Sequence, residues 1–236
     1  MHNHEVLRDR NQELERYSQE LTRANRTLGL MNTITRHDIL NQLTILNGYL
    51  ALIMELTADP AILDYVKKGK ESIRTIDKHI QFTRQYHELG SCRPQWQNVG
   101  FVFAQAVSQV PSPGITFLFE PSDLEIYADR LLMKIFYNLI DNSRRHGKNV
   151  SKITVSTRDD QDDLILVYED DGIGISPSEK EQIFSRNYGR NTGLGLFLVQ
   201  EILRITGIAI TETGVEGKGA RFEVRIPRGS FRSVET

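Results

Sequence analysis

Asn138-Leu-Ile-Asp-Asn142, Asp170-Asp-Gly-Ile-Gly174, Gly193-Leu-Gly-Leu196 and Gly217-Lys-Gly-Ala-Arg-Phe222 follow one another in that order. Their reading decides the fold of the C-terminal half. The first places two amide side chains one helical turn apart on a shared face. The second puts an acid on a glycine turn behind an apolar run, where glycine permits the tight turn. The third is a glycine-rich entry into a helix, whose first N–H groups lack intrahelical partners and can cradle phosphates. Each motif alone is a weak signal; in this order and spacing they describe a nucleotide pocket.

Around these motifs the periodicity alternates. Ile115–Phe119, Leu124–Tyr127, Lys152–Thr157, Leu164–Tyr168, Ile208–Thr211 and Arg221–Ile226 read as strands, with Asp159–Asp163 as a hairpin loop. Val99–Gln109, Asp129–His146 with Asp129 as N-cap, Pro177–Phe184 and Leu194–Thr206 read as helices. A mixed sheet with helices on one face fits.

Upstream the pattern is helical throughout. Leu7, Leu14, Leu21 and Leu28 recur every seventh residue, which reads as a coiled coil with leucine at d and Asn11, Ser18, Asn25 and Asn32 at a. That polar seam is weak but favours one register and a parallel dimer. The helix runs on through His37 to about Leu56, and Thr57-Ala-Asp-Pro60 marks a turn. A second helix covers about Ala61 to Leu89, with Ile62, Val66, Ile73, Ile76, Ile80 and Phe82 as apolar positions and Gly90 beyond its end. Two antiparallel helices cannot bury their faces alone, so two chains are expected to pair into a four-helix bundle.

The nucleotide motifs resemble the N, G1, G2 and G3 boxes of the histidine kinase ATPase domain, whose wider clan includes topoisomerase, chaperone and mismatch-repair ATPases. His37-Asp38-Ile-Leu-Asn41 resembles the phosphoacceptor box of the same kinases. The resemblance covers about residues 30 to 228, and in detail it is closest to sensor kinases common in archaea. It implies an α + α/β architecture: a coiled coil over 1–29, a dimerisation and phosphotransfer hairpin over 30–90, a linker over 91–98, a Bergerat-type ATP-binding sandwich over 99–228 and a tail over 229–236. The implied activity is that of a homodimeric sensor histidine kinase of a two-component system. It uses ATP and Mg²⁺ to phosphorylate His37 and passes the phosphoryl group to an aspartate of a response-regulator receiver domain.

The chemistry follows from the residue types. A neutral imidazole is a usable nucleophile when one nitrogen keeps its proton and the other presents its lone pair. Asp38 is placed to accept that proton's hydrogen bond and to stabilise charge growing on the ring. By resemblance, Asn41 aligns a water for hydrolysis of the partner's aspartyl phosphate. Gln42 stands where the family often has proline, so a less kinked helix is expected. By resemblance Asn142 is the Mg²⁺ ligand, its amide oxygen being a hard neutral donor, and Asp170 accepts from the adenine amino group. Asn138, Arg145 and His146 lie a turn to either side of Asn142; for Arg145 and His146 a solvated helix end is the competing reading. Gly172, Gly174 and Ile175 complete the base side, and Gly193, Leu194, Gly195 and Leu196 the phosphate side.

Phe184 and Tyr188 belong to a short lid between Gly174 and Gly193. Arg190 and Asn191 lead into the glycine run, with Arg190 able to meet the γ-phosphate. A short lid implies fast nucleotide exchange. Ala220 replaces the hydroxyl residue common in the last box. Hydrolytic members of the clan usually carry glutamate at the Asn138 position, and an amide cannot take a proton, which favours transfer over an ATP-hydrolysing clamp. The other alternative is a dimeric scaffold that binds ATP without transfer.

Composition sets the outer limits. The chain has 236 residues, 39% of them hydrophobic, enough for a real core. Its net charge of −2 and sequence pI near 6.3 supply no basic field for nucleic acid. The apolar stretch at Leu46–Met54 reads as too short to span a bilayer and the N-terminus lacks a signal peptide's apolar core. A cytoplasmic chain without membrane contact is therefore expected, with any preceding sensor part free to be membrane-bound. The single cysteine, Cys92, cannot form an internal disulfide and receives no role.

Overall fold

The computed structural model describes residues 2–120, 123–186, 188 and 193–233. The chain divides into two compact units, Met1–His87 and Glu88–Thr236.

In the first unit, α1 (His2–Leu56) is one uninterrupted helix of 55 residues, as expected with no proline near His37. The heptad leucines Leu7, Leu14, Leu21 and Leu28 and the polar positions Asn11, Ser18, Asn25 and Asn32 lie outside the described side chains. Helix α2 (Pro60–Glu88) starts at a built cap: the Asp59 carboxylate accepts from Ala61 N at 2.8 Å and the Thr57 hydroxyl from Asp59 N at 3.1 Å, with Pro60 in the first turn where its missing N–H costs nothing. The two helices run antiparallel. Gly69 of α2 lies under Leu50 of α1 and Gly29 under His87, where added Cβ atoms would come within 3.2 and 3.0 Å.

Little of this hairpin is buried; Val66 and Ile73 are the core residues on α2. Ile45, Tyr49, Leu52 and Leu56, spaced as one helical stripe, are all exposed. The helical segment Thr33–Leu56 is 24 residues long and contains an 18-residue window of mean hydropathy 1.3, so by length and composition alone it is sufficient to cross a membrane. The expectation drawn from Leu46–Met54 does not allow for this, because the apolar average extends beyond that stretch across intervening polar residues such as Asn47.

The second unit begins with β1 (Gln95–Asn98) and α3 (Val99–Gln109). The Asn98 side chain caps α3 by accepting from Phe101 N at 2.8 Å. There follow β2 (Thr116–Phe119), β3 (Leu124–Ala128), α4 (Leu132–His146), β4 (Lys152–Asp160), β5 (Asp163–Asp170), a 3₁₀ turn at Gln182–Phe184, α5 (Leu194–Arg204), β6 (Ala209–Glu212), β7 (Arg221–Ile226) and β8 (Phe231–Ser233). Five strands form a mixed sheet in the order β2-β4-β5-β7-β6, with β2 parallel to β4 and the other pairs antiparallel. Strands β1, β3 and β8 form a second, antiparallel sheet. Side chains of α4 (Phe136, Leu139), α5 (Leu203), β5 (Leu166, Tyr168) and β7 (Val224, Ile226) meet around one apolar centre between helices and sheet. Fully burying such a residue is worth about 1.5–3 kcal/mol.

Apart from small shifts at element ends, such as β4 and β5 running into the expected Asp159–Asp163 loop, four stretches differ from the sequence reading. Residues 95–98 of the expected linker and 231–233 of the expected tail are strands, both paired to β3. Pro177–Phe184 supplies only a 3₁₀ turn. Helix α4 starts at Leu132 rather than at Asp129. Asp129 is fully buried; its carboxylate accepts from Leu131 N at 2.9 Å and Gly90 N at 3.2 Å, so it builds the turn ahead of the helix.

Candidate nucleotide and phosphoacceptor sites

The nucleotide motifs converge at the C-terminal half of α4. Asn138 and Asn142 share its solvent-side face, while Phe136, Leu139, Ile140 and Ser143 point into the core. The Asn138 amide donates to Lys134 O at 2.7 Å, which leaves its oxygen turned toward α5. A Cβ on Gly195 would lie 3.0 Å from that oxygen, so the glycine lets the start of α5 approach α4. Gly193 takes a left-handed conformation, φ +61°, and places no side-chain cap on α5. The amides of Leu194, Gly195 and Leu196 thus form an uncapped helix start, suited to phosphate oxygens.

Of the two adjacent acids, one is structural. Asp171 accepts from Ser151 N at 2.8 Å, Lys152 N at 3.0 Å and the Ser151 hydroxyl. Its slight burial works upward, but these bonds win and hold its carboxyl below the usual aspartate value. Asp170 is buried, and its Oδ1 accepts from Gly172 N and Ala220 N, both at 3.0 Å. Its Oδ2 accepts a short hydrogen bond from the Ser143 hydroxyl, and Ser143 in turn bonds the Tyr168 hydroxyl at 3.0 Å. Burial first, and then the neighbouring Asp170 charge, push the Tyr168 hydroxyl far up its titration range despite the Ser143 bond, so it stays protonated.

The loop after Asp170 is held from two sides. Ile173 N donates to Gly147 O at the end of α4, at 3.2 Å, and Gly217 N donates to Ile173 O at 2.7 Å. Gly174, at φ +69°, has no room for a side chain: a Cβ would stand 2.7 Å from Val215 O and 2.9 Å from Gly219 O. Ile175 is half-buried beside it.

Arg145 and His146 lie exposed in the last turn of α4. Arg145 does not point freely at a ligand: its Nε is 2.6 Å from Asp141, which Arg144 also contacts at 2.8 Å. Burial raises the Asp141 carboxyl, but the two guanidinium groups outweigh it and hold the group below the ordinary aspartate range. The Tyr188 hydroxyl donates to Glu179 Oε1 at 2.7 Å. Arg190 and Asn191 lie outside the described residues.

In the first unit, His37 Nδ1 lies 3.3 Å from Asp38 Oδ1 and 3.3 Å from Asn41 Nδ2. All three side chains are solvent-exposed. One ring nitrogen cannot serve both neighbours: with a proton it donates to Asp38, and without one it accepts from Asn41. The two neighbours therefore favour opposite tautomers.

Sequence reasoning missed Ser143. Its signal is a polar residue on the buried stripe of α4, four residues after Leu139 and seven after Phe136. It also missed Lys180 and Glu212, whose pairing joins distant segments. Among the described residues, no cluster of three or more His, Cys, Asp or Glu side chains could hold a metal, so a cation here would need ligand phosphates beside an amide such as Asn142. The uncapped α5 start, the glycine cradle at Gly174 and the Asp170 carboxylate fit an adenine nucleotide.

Comparison with known proteins agrees with this geometry. The family model described as histidine kinase-, DNA gyrase B- and HSP90-like ATPase matches residues 128–230. The signal transduction histidine-protein kinase AtoS of Escherichia coli (strain K12) is 29% identical over 218 residues, covering 85% of this chain and 35% of that protein. Sensor protein CitS of Halalkalibacterium halodurans is 28% identical over 236 residues, covering 94% of this chain and 41% of that one. The chain thus spans well under half the length of these curated relatives. Among solved structures, full-length ShkA in complex with AMPPNP has a TM-score of 0.60 at 20% identity, over 87% of this chain and 46% of that one. Histidine kinase ThkA in complex with response regulator protein TrrA has a TM-score of 0.57 at 24% identity, over 92% and 67%. These structural likenesses show the fold, a helical part followed by an α/β domain.

Proposed function

We propose, on the premise that residues 128–230 are an ATPase domain of the histidine kinase, DNA gyrase B and HSP90 kind, that this chain is the catalytic core of a dimeric sensor histidine kinase. The observation that carries the reading is the pairing, in one chain, of that ATP site with His37 flanked by Asp38 and Asn41. The relatives named as histidine kinases and sensor proteins, matched over most of this chain, support it.

In the resting pocket Asp170 Oδ1 is saturated by two N–H groups, leaving Oδ2, already oriented by Ser143, to accept from the adenine amino group. The first amides of α5 bind phosphate oxygens. Asn142 would hold Mg²⁺, which when bound offsets phosphate charge and orients the terminal group. Arg145 becomes available to phosphate by leaving Asp141.

At the acceptor, His37 donates its Nδ1 proton to Asp38 and presents the Nε2 lone pair. An N–P bond forms at Nε2, the bond from the γ-phosphorus to the bridging oxygen breaks, and ADP departs with that electron pair. The imidazole's positive charge is offset by Asp38, which then takes or relays the Nδ1 proton to solvent. Catalysis rests on positioning and charge neutralisation. When Asn41 instead donates to Nδ1, the proton sits on Nε2 and attack is blocked. Asn41 then serves the weaker activity, aligning a water against the aspartyl phosphate of the response-regulator receiver that accepts the group.

The exposed stripe Ile45, Tyr49, Leu52 and Leu56 supports a bundle with a second copy, since so continuous an apolar face is costly in water. Its alternative as a membrane span is disfavoured by His37, Asp38 and Asn41 within the same 24 residues. We place this catalytic part in the cytoplasm.

Incubation with γ-labelled ATP and Mg²⁺ tests the reading. Label on protein that survives base and is lost in acid is the expected result. Free phosphate without such label would indicate the ATP-hydrolysing clamp, and binding with neither would indicate the scaffold.

A further inference from the structure

We infer that Lys180, half-buried, and Glu212, fully buried, form a clasp that sets how long nucleotide stays in the pocket; the inference rests on the ATP-site reading above. Glu212 ends β6, and its side chain has no solvent exposure. A carboxylate so placed must be paired and hydrogen-bonded to persist. Its Oε1 accepts from Gly214 N at 3.0 Å and Arg221 N at 3.2 Å, and its Oε2 lies 2.8 Å from Lys180 Nζ. Lys180 Nζ also donates to Gly214 O. One ion pair thus gathers both feet of the turn between β6 and β7.

That turn is a wall of the nucleotide site. Gly217 N is bonded to Ile173 O at 2.7 Å and Ala220 N to Asp170 Oδ1 at 3.0 Å, and Val215 O and Gly219 O fill the space a side chain on Gly174 would need. Lys180 comes from the segment that leaves Gly174 and leads toward the lid. It stands between the base-binding loop and the 3₁₀ turn whose Phe184 packs edge-on against Phe222, centroids 6.3 Å apart. The pair therefore fastens the root of the lid to the wall behind the acid that reads the base. Glu212, fully covered, cannot itself meet a ligand, so both are positioning residues. They act through Gly214, the turn and the Asp170–Gly174 loop.

Two substitutions separate positioning from simple support of the fold. Glu212→Gln keeps an oxygen for Gly214 N and Arg221 N while removing the charge, and adding Lys180→Met removes the unpaired ammonium, so no lone buried charge remains. In the full chain, stopped-flow release of a fluorescent ATP analogue should be about fivefold or more faster for this double variant, a size ordinary for residues acting at one remove. KM for ATP should rise by a similar factor, with kcat at saturating ATP nearly unchanged. Lys180→Arg with Glu212 intact keeps the ion pair and should keep release slow. An unchanged release rate in the variant, whether or not its Tm falls, would overturn the clasp while leaving the ATP-site reading intact. If the wild type bound no nucleotide at all, the ATP-site reading would fail and the clasp with it.

Discussion

Replacing Asp170 by asparagine removes the charge from the carboxylate that the proposed function assigns to the base. In the wild type, Oδ1 is occupied by Gly172 N and Ala220 N, and these two donors force the oxygen of the new amide to that side. The NH₂ group must then take the Oδ2 position, facing Ser143 and the pocket. Ser143 adapts, because its hydroxyl can accept from the amide and donate to Tyr168. The adenine amino group cannot adapt, since it meets a donor where it needs an acceptor. A hydrogen bond to a charged group is worth about 1.5–3 kcal/mol, and about 1.4 kcal/mol is a factor of ten in affinity. The Kd for ATP should rise roughly 10- to 150-fold while the Tm without ligand falls little. Titration calorimetry with ATP and with its 6-deamino analogue measures this directly: only ATP should lose affinity. An Asp170→Asn variant that binds ATP within threefold of wild type, or loses both ligands equally, would refute the assignment of Asp170 to the base.

Asp38→Asn should slow labelling of His37 by about a hundredfold or more at unchanged KM for ATP, the usual scale for loss of a general base, as read from initial rates at saturating ATP. Gly174→Ala forces a Cβ to 2.7 Å from Val215 O at φ +69°. It should cost about 1–3 kcal/mol of stability and abolish detectable ATP binding, checked by thermal melts with and without nucleotide. Asp141→Asn tests the Arg144 and Arg145 pairs through pH. The carboxyl is held below its ordinary value of 3.8 in the folded chain, so its stabilisation is fully present above that value and is lost as pH falls through the lower, folded value. The Tm gap between wild type and variant should be constant at neutral pH and close only in strong acid. Leu52→Glu, on the exposed stripe of α1, should shift the chain from dimer toward monomer in sedimentation equilibrium.

How far the sequence reveals this protein depends on where each element gets its stability. Helix α3 reads correctly to the residue because Asn98 signals its start and the helix closes its own hydrogen bonds. Strands β1 and β8 escape notice because Gln-Trp-Gln-Asn and Phe-Arg-Ser have no alternation of their own; their partners lie on β3, distant in sequence. Pro177 looks like a helix start, yet the segment is held by tertiary contacts, Lys180 to Glu212 and Phe184 to Phe222, and forms a single turn. The site shows the same division. Asp170, Gly174, Gly195 and the two asparagines are legible because each glycine or amide has a local duty at a fixed spacing. Arg145 reads as a phosphate contact, but its ion pair with Asp141 is a matter of side-chain geometry. Ser143, Lys180 and Glu212 become visible only when the sheet brings their partners to them.

His37 is the proposed acceptor, and its replacement gives the most direct test. The full chain and a His37→Gln variant, incubated side by side with γ-labelled ATP and Mg²⁺, should differ completely: base-stable, acid-labile label on the first and none on the second, with equal nucleotide binding by both. Equal label on the two would contradict the account, and so would a wild type that binds ATP and Mg²⁺ under these conditions without ever carrying label.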